Sequence, residues 1–241
     1  MSMNEWIESR RGASSAPTGA EVFLAATVVV LRDGDDGLEV LLGKRSSKLA
    51  FHGGAWVFPG GRVDPDDYAG NPDDVVAAVK RAAVRETFEE AGLHVDPDTL
   101  VHISNWTTPD ISPKRFATWF FAGRALEGDE IADGAETEVV QWYRPQDALV
   151  QRTAGEIELA PPQFVTLLDL TAYRTVDEAL TAIAAIEPFD FTPRFHFVEG
   201  GAAVCVYADD VAYLDAANLD AEGARHRLVM DASGWEYVRS A

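Results

Sequence analysis

Cysteine is almost absent from this chain: Cys205 is the sole thiol in 241 residues, so no intramolecular disulfide can staple the fold. Basic residues are scarce. Twenty lysines and arginines face forty aspartates and glutamates, a formal net charge of −20, and such a field repels nucleic-acid phosphates and anionic lipid surfaces. Neither nucleic acid nor membrane is an expected partner. The apolar run FLAATVVVL at 23–31 is too short to span a bilayer. Residues 1–20 open acidic and polar without the basic-then-apolar order of an export signal, and the cytoplasm is the expected compartment. Several reaction signatures are missing too. There is no G-x-S-x-G and no H-E-x-x-H, and Cys205 has no histidine motif beside it, which disfavours serine, cysteine and zinc hydrolases. Gly37 and Gly43 enclose five residues rather than the four of a P-loop, and Arg45 stands where Ser or Thr is needed.

What is present describes a globular protein: 47% hydrophobic residues and 10% aromatics support a core. Residues 1–20, with a Ser/Ala/Gly/Pro stretch at 12–19, read as a flexible lead-in. Runs at 23–31 and 38–43 read as strands joined by the hairpin-like Asp33–Gly37. Asn71-Pro72-Asp73-Asp74 reads as a helix start with Asn71 as cap; Val75, Val79, Ala82 and Ala83 supply an apolar face, and Gly92 the stop. Strands are expected at 115–126 and 138–145, a short helix from Pro145, and a helix from Thr175 to about Ile186 behind a capping box. Residues 202–208 and 227–239 read as strands ending in a hairpin. Pro161-Pro162 suggests a boundary, giving a main domain at 21–158 and a C-terminal α+β extension at 159–241. The apolar content of that extension suits packing on the core or a homodimer surface.

The stretch RETFEEAGL, residues 85–93, needs a physical reason. Glu86, Glu89 and Glu90 stand at i, i+3 and i+4, so they share one helix face. Each like-charged pair costs about 0.2–0.5 kcal/mol, and anions near a helix C-terminus oppose its dipole by roughly 0.3–1 kcal/mol. A solvated acidic face is the plain alternative in so acidic a chain. A hard divalent cation, Mg²⁺ or Mn²⁺, explains the position better, because it takes carboxylate oxygens and keeps sites open for water and phosphate. Upstream, WVFPGGRVD at 56–64 carries two glycines whose backbone can approach an ion or phosphate closely.

Phe58-Pro59-Gly60-Gly61 followed by Arg85-Glu86-x-x-Glu89-Glu90-x-Gly92-Leu93 resembles the Nudix box, over roughly residues 21–155. Gly61 and Arg85 are separated by 23 residues where the family pattern has 13, and Thr87 holds a usually apolar place. The extra residues fall around DPDDYAGNPDD, where a longer loop costs little closure entropy. The resemblance implies an α/β/α sandwich with a mixed sheet and the 72–91 helix against one face. It also implies a metal-dependent hydrolase of nucleoside-diphosphate-linked substrates. By position, Glu86, Glu89 and Glu90 bind metal with a carbonyl at Gly60 or Gly61, and Arg85 orients a glutamate. The box's first glutamate has no counterpart at the family spacing, and Asp64, Asp66 and Asp67 remain open for its role. A later base is open among Glu130, Asp133, Glu136 and Glu138.

The stretch LLGKRSSKLAFHGGAWVFPGG, 41–61, holds Lys44, Arg45 and Lys48 and resembles the signature of coenzyme A diphosphatases of the peroxisomal type; Gly43 and Ala50 depart from it. With Arg62, these cations are candidate substrate-binding groups, although exposed lysines commonly just solvate a strand end. His52 is a further candidate for phosphate. The implied substrate is coenzyme A or an acyl derivative. ADP-ribose, dinucleotides or nucleotide sugars, or a non-catalytic nucleotide-binding module, are the alternatives. Trp56, Trp106, Trp119 and Trp142 are candidates for adenine stacking or core.

Overall fold

The β-branched and leucine-rich residues of the first two runs form β1 (Val22–Gly34) and β2 (Gly37–Arg45), an antiparallel hairpin with Leu31 opposite Val40. The structure, a computed structural model, describes residues 18–47, 53–126, 128, 130–198, 202–231 and 234–240. Nearly all of the lead-in, Lys48 and His52 lie outside the described residues. β1 is buried continuously from Ala25 to Leu31, because both faces of its sheet are covered. Ala26, Val28 and Val30 belong to one apolar cluster, Val29 and Leu31 to another.

Six further strands join this sheet: β3 (Trp56–Val57), β4 (Gly60–Arg62), β5 (Val101–Thr107), β6 (Arg115–Arg124), β7 (Thr137–Tyr143) and β8 (Phe189–Phe191). It is mixed: β1 runs parallel to β6 and β5 to β8, while the other pairs are antiparallel. Helix α1 (Val75–Ala91) covers one face through Ala78, Val79, Ala82 and Ala83, set against Val28, Val30 and Phe121. Two details of its expected start are corrected. Asn71 Oδ1 is occupied by the Asp73 N–H in a preceding turn, and the cap is Asp74, whose Oδ1 accepts the Ala77 N–H at 3.1 Å. Val75, expected on the apolar face, is exposed, because it lies in the first turn, before the buried stretch that begins at Ala78.

The other face is covered by α2 (Pro145–Thr153), α3 (Pro161–Leu170) and α4 (Val176–Ala184), whose Ala148, Phe164, Leu167, Val176 and Ala179 join Val29, Leu42 and Phe120. The α/β/α sandwich is therefore present. Pro161 and Pro162 open α3, where a missing N–H costs nothing. Thr175 caps α4 by accepting the Glu178 N–H at 3.2 Å, and Glu178 in turn accepts from Arg174 rather than from the cap.

The C-terminal segment adds a second, antiparallel sheet of β9 (Arg194–Phe197), β10 (Ala203–Val206), β11 (Arg225–Asp231) and β12 (Gly234–Ser240). It is fused to the main core. Phe191 of β8 stacks on Trp106 at 3.9 Å, and Tyr207 meets both rings edge-on. Asp210 and Arg227 form a buried two-point ion pair, at 2.6 and 2.7 Å, beneath this sheet. Among the described residues no helix is long and apolar enough to cross a membrane.

Candidate active site

Helix α1 ends where the sequence asks it to. Gly92 takes the left-handed conformation, φ 69°, and its N–H bonds back to the Phe88 carbonyl at 2.9 Å. The glutamates thus occupy the last two turns, facing β4. Gly60 is there because nothing larger fits, since a Cβ would collide with the Ala26 carbonyl and the Thr27 backbone, whereas a Cβ at Gly61 would meet the Glu86 carboxylate and displace it. Thr27 fastens this turn by donating its hydroxyl to the Pro59 carbonyl at 2.5 Å.

The carboxylates divide between two environments. Glu90 is 6% exposed and accepts the Gly60 N–H at 3.0 Å. Burial pushes its pKa up to about 7, against the Gly60 hydrogen bond and the nearby Arg45 charge. Burial also raises Glu86, outweighing the Arg85 hydrogen bond at 2.8 Å, and the charges of Glu89 and Glu136 push the same way. Glu89 is more exposed and takes a second bond from Arg85 at 3.1 Å. Arg85 therefore holds Glu86 and Glu89, while Glu90 turns inward to the glycine turn.

Arg85 has a second anchor. Its Nε and Nη2 fork onto the two carboxylate oxygens of Asp67 at 3.2 and 2.9 Å, and Nη2 also donates to the Arg62 carbonyl at 3.1 Å. Asp67 is buried; burial would raise its pKa, but Arg85 and the Asp64 N–H hold it below the usual carboxylate range. The Asp67 hydrogen bond is the foremost cause raising the Arg85 pKa. Asp64 stands 3.8 Å from Arg85 on the exposed side. The inserted loop thus supplies a positioning carboxylate.

Among the later acids the structure separates one from three. Glu130 accepts from Arg32 and from the Trp142 indole, Asp133 accepts the backbone N–H groups of 135–137, and Glu138 accepts from Ser47. Glu136 alone of the four lines the same cleft as Glu86.

That cleft encloses about 530 Å³, within the range of small-molecule sites. Its polar lining includes Gly60, Gly61, Glu86, Glu136, Arg45 and Arg62. Arg45 has its Nε buried without a hydrogen-bond partner among the described residues, and Arg62 lies over the Phe23 ring at 4.1 Å. Lys44 is not among the lining residues. The lining also holds the apolar Phe116, Trp106, Phe120, Pro161 and Phe195, and Lys114, whose Nζ lies 5.1 Å from the Phe116 ring. Of the four tryptophans only Trp106 borders the cleft. Trp56 packs edge-on to Tyr143, Trp119 stacks on His102, and Trp142 lies under Arg32. The contributions of α3 and β9 to this lining carried no signal in the sequence, since they follow from how the C-terminal segment folds back.

The donor set has the chemistry of a hard-cation site: buried carboxylate oxygens whose mutual repulsion a single arginine does not cancel. In this conformation Arg85 keeps two of the expected ligands, and among the described residues no three acidic, histidine or cysteine side chains group so as to hold a metal ion. The residues fit a divalent cation once Glu86 and Glu89 exchange Arg85 for it.

Comparison with known proteins agrees with this geometry. The NUDIX domain family model matches residues 22–164. The chain is 38% identical over 90 residues to the peroxisomal coenzyme A diphosphatase ndx-8 of Caenorhabditis elegans, covering 36% of this chain and 35% of that protein. It is 43% identical over 106 residues to the mitochondrial Nudix hydrolase 15 of Arabidopsis thaliana, covering 44% and 33%. It is 24% identical over 233 residues to the acyl-coenzyme A diphosphatase NUDT19 of Xenopus laevis, covering 58% and 61%. The chain thus spans about a third of the first two relatives' length. A crystal structure of a NUDIX hydrolase from Alicyclobacillus acidocaldarius superposes with a TM-score of 0.61 at 26% identity, over 68% of this chain and 97% of that one. With the family model spanning more than half its length, and the glutamate helix and glycine turn set against each other in that fold, the chain belongs to the Nudix family.

Proposed function

We propose that this protein is a metal-dependent diphosphatase that cleaves a nucleoside-diphosphate-linked substrate, with coenzyme A or an acyl-coenzyme A as the substrate. The observation that carries this is one cleft lined by Glu86, Glu136, Arg45 and Arg62, with the buried Glu90 bonded to the Gly60 N–H of the same lining. A divalent cation, Mg²⁺ or Mn²⁺, held by Glu86, Glu89 and Glu90 with the Gly60 backbone would supply charge neutralisation at the phosphates and acidify a water.

The remaining work falls to this chain's own side chains. Arg45 and Arg62, which line the cleft with Glu86, bind the diphosphate oxygens. Arg85 is a positioning residue, fixed by Asp67 so that it steers Glu86 and Glu89. Glu136, free of the bonds that occupy Glu130, Asp133 and Glu138, accepts the proton of the attacking water. The apolar part of the lining takes the organic part of the substrate. The names of the ndx-8 and NUDT19 relatives support the coenzyme A assignment. Lys44, outside the cleft lining, is proposed only to add to the local positive field.

Purified protein incubated with Mn²⁺ and coenzyme A should release 3',5'-ADP and phosphopantetheine. Products from ADP-ribose or dinucleotides but none from coenzyme A would overturn the substrate. Binding of all of them without turnover of any would overturn the enzyme.

A further inference from the structure

We propose that Lys114, which immediately precedes β6, is a specificity residue that binds a second anionic group of the substrate, a phosphate monoester separate from the diphosphate. This rests on the cleft being the diphosphate site described above, to which it adds a subsite. The register of the central sheet sets the layout. Gly60 pairs with Thr27 of β1 and Arg62 with Ala25, while Phe23 of β1 pairs with Phe116 of β6. Phe23, Ala25 and Thr27 alternate onto one face, and all three line the cleft. Phe23 lies four residues from Thr27, about 13 Å along an extended strand, so the Phe23 and Phe116 rings stand to one side of the glycine turn. Lys114 comes two residues before Phe116, on the side away from that turn.

Each ring carries a cation. The Arg62 guanidinium lies 4.1 Å from the Phe23 centroid and the Lys114 ammonium 5.1 Å from that of Phe116, and the two rings are 6.2 Å apart. A ring face holds a cation in place without neutralising it. Among the described residues neither forms an ion pair, whereas Arg32, Arg85, Arg124, Arg144 and Arg227 each hold a carboxylate. Both are exposed and line the cleft, so a ligand reaches them. Arg62 serves the diphosphate, which leaves the Lys114 charge for an anion beyond it. A neutral base or a hydrocarbon gains nothing from an ammonium. A phosphate monoester brings a charge of about −1.5 to −2 and three acceptor oxygens, and in a chain of net charge −20 such a dianion depends on a local cation. Coenzyme A carries one on its ribose.

Coenzyme A and dephospho-coenzyme A share the diphosphate and differ only in that phosphate, so the pair tests this. The parent's KM for coenzyme A should lie about fivefold or more below its KM for dephospho-coenzyme A. Lys114→Ala should erase most of that difference by raising the coenzyme A value, with kcat little changed, and Lys114→Arg should restore it. A ratio of the two KM values that stays the same in Lys114→Ala, whether neither value moves or both rise together, overturns the proposal. If the parent cleaves neither compound, the coenzyme A diphosphatase reading fails by itself. Calorimetric Kd values for adenosine 3',5'-bisphosphate and AMP then decide this one: about fivefold weaker binding of the bisphosphate alone to Lys114→Ala supports it, and any other result, including no binding to the parent, refutes it.

Discussion

Replacing Glu90 by glutamine should make the metal-free protein more stable at pH 8 and remove its response to divalent cations. Glu90 is 6% exposed and holds one hydrogen bond, from the Gly60 N–H, which a glutamine oxygen can also accept. Burial raises its pKa from 4.5 to about 7. Below pH 4.5 the carboxyl is protonated in both folded and unfolded chains. Between 4.5 and 7 the unfolded chain ionises while the folded one keeps its proton, so stability falls with rising pH across that window and levels off above 7. The rise from 4.5 to about 7 corresponds to about 3 kcal/mol, and part of it arises from repulsion by Glu86 and Glu136. Without metal, Glu90→Gln should therefore melt close to the parent at pH 4.5 and roughly 5–10 °C above it at pH 8. Millimolar Mn²⁺ should raise the parent's Tm and leave the variant unchanged, and the variant should lose hydrolysis. Thermal melts at both pH values, with and without Mn²⁺, read all of this. A variant that melts below the parent at pH 8 without metal, or gains as much as the parent with Mn²⁺, refutes the reasoning.

Arg85→Lys keeps a cation but cannot fork onto Asp67 while reaching Glu86 and Glu89; kcat should fall by about tenfold or more, and unchanged kcat would show that Arg85 does not position the glutamates. Gly60→Ala drives a methyl group into the Ala26 carbonyl, and soluble yield and activity should fall together; full activity would mean that the turn moves freely. Asp210→Ala strands Arg227 as a buried unpaired cation, at about 3–5 kcal/mol, so melting should drop by roughly 10 °C; a drop under about 3 °C would show that Arg227 reaches water. Arg45→Ala should raise KM for a diphosphate substrate several-fold while Lys44→Ala changes it little, since only Arg45 lines the cleft. Equal effects would place both on the substrate.

Local sequence determined what short-range chemistry can specify. The apolar runs 23–31 and 38–43 had to be strands, Gly92 had to stop a helix, and Glu86, Glu89 and Glu90 had to follow one another along one helical surface, because periodicity and caps act within a few residues. Tertiary structure decided the rest, since contacts between residues far apart in the chain leave no periodic trace. It set Asp67 against Arg85, 18 residues away. It left Glu136 in the cleft while Glu130, Asp133 and Glu138 took other partners. It threaded β8 beside β5, and it set Gln163 and Phe195 in the lining of the same cleft as Glu86. Spacing along the chain said where the charges are; only packing, which trades solvation for neighbours, said which of them are buried, paired or left for a ligand.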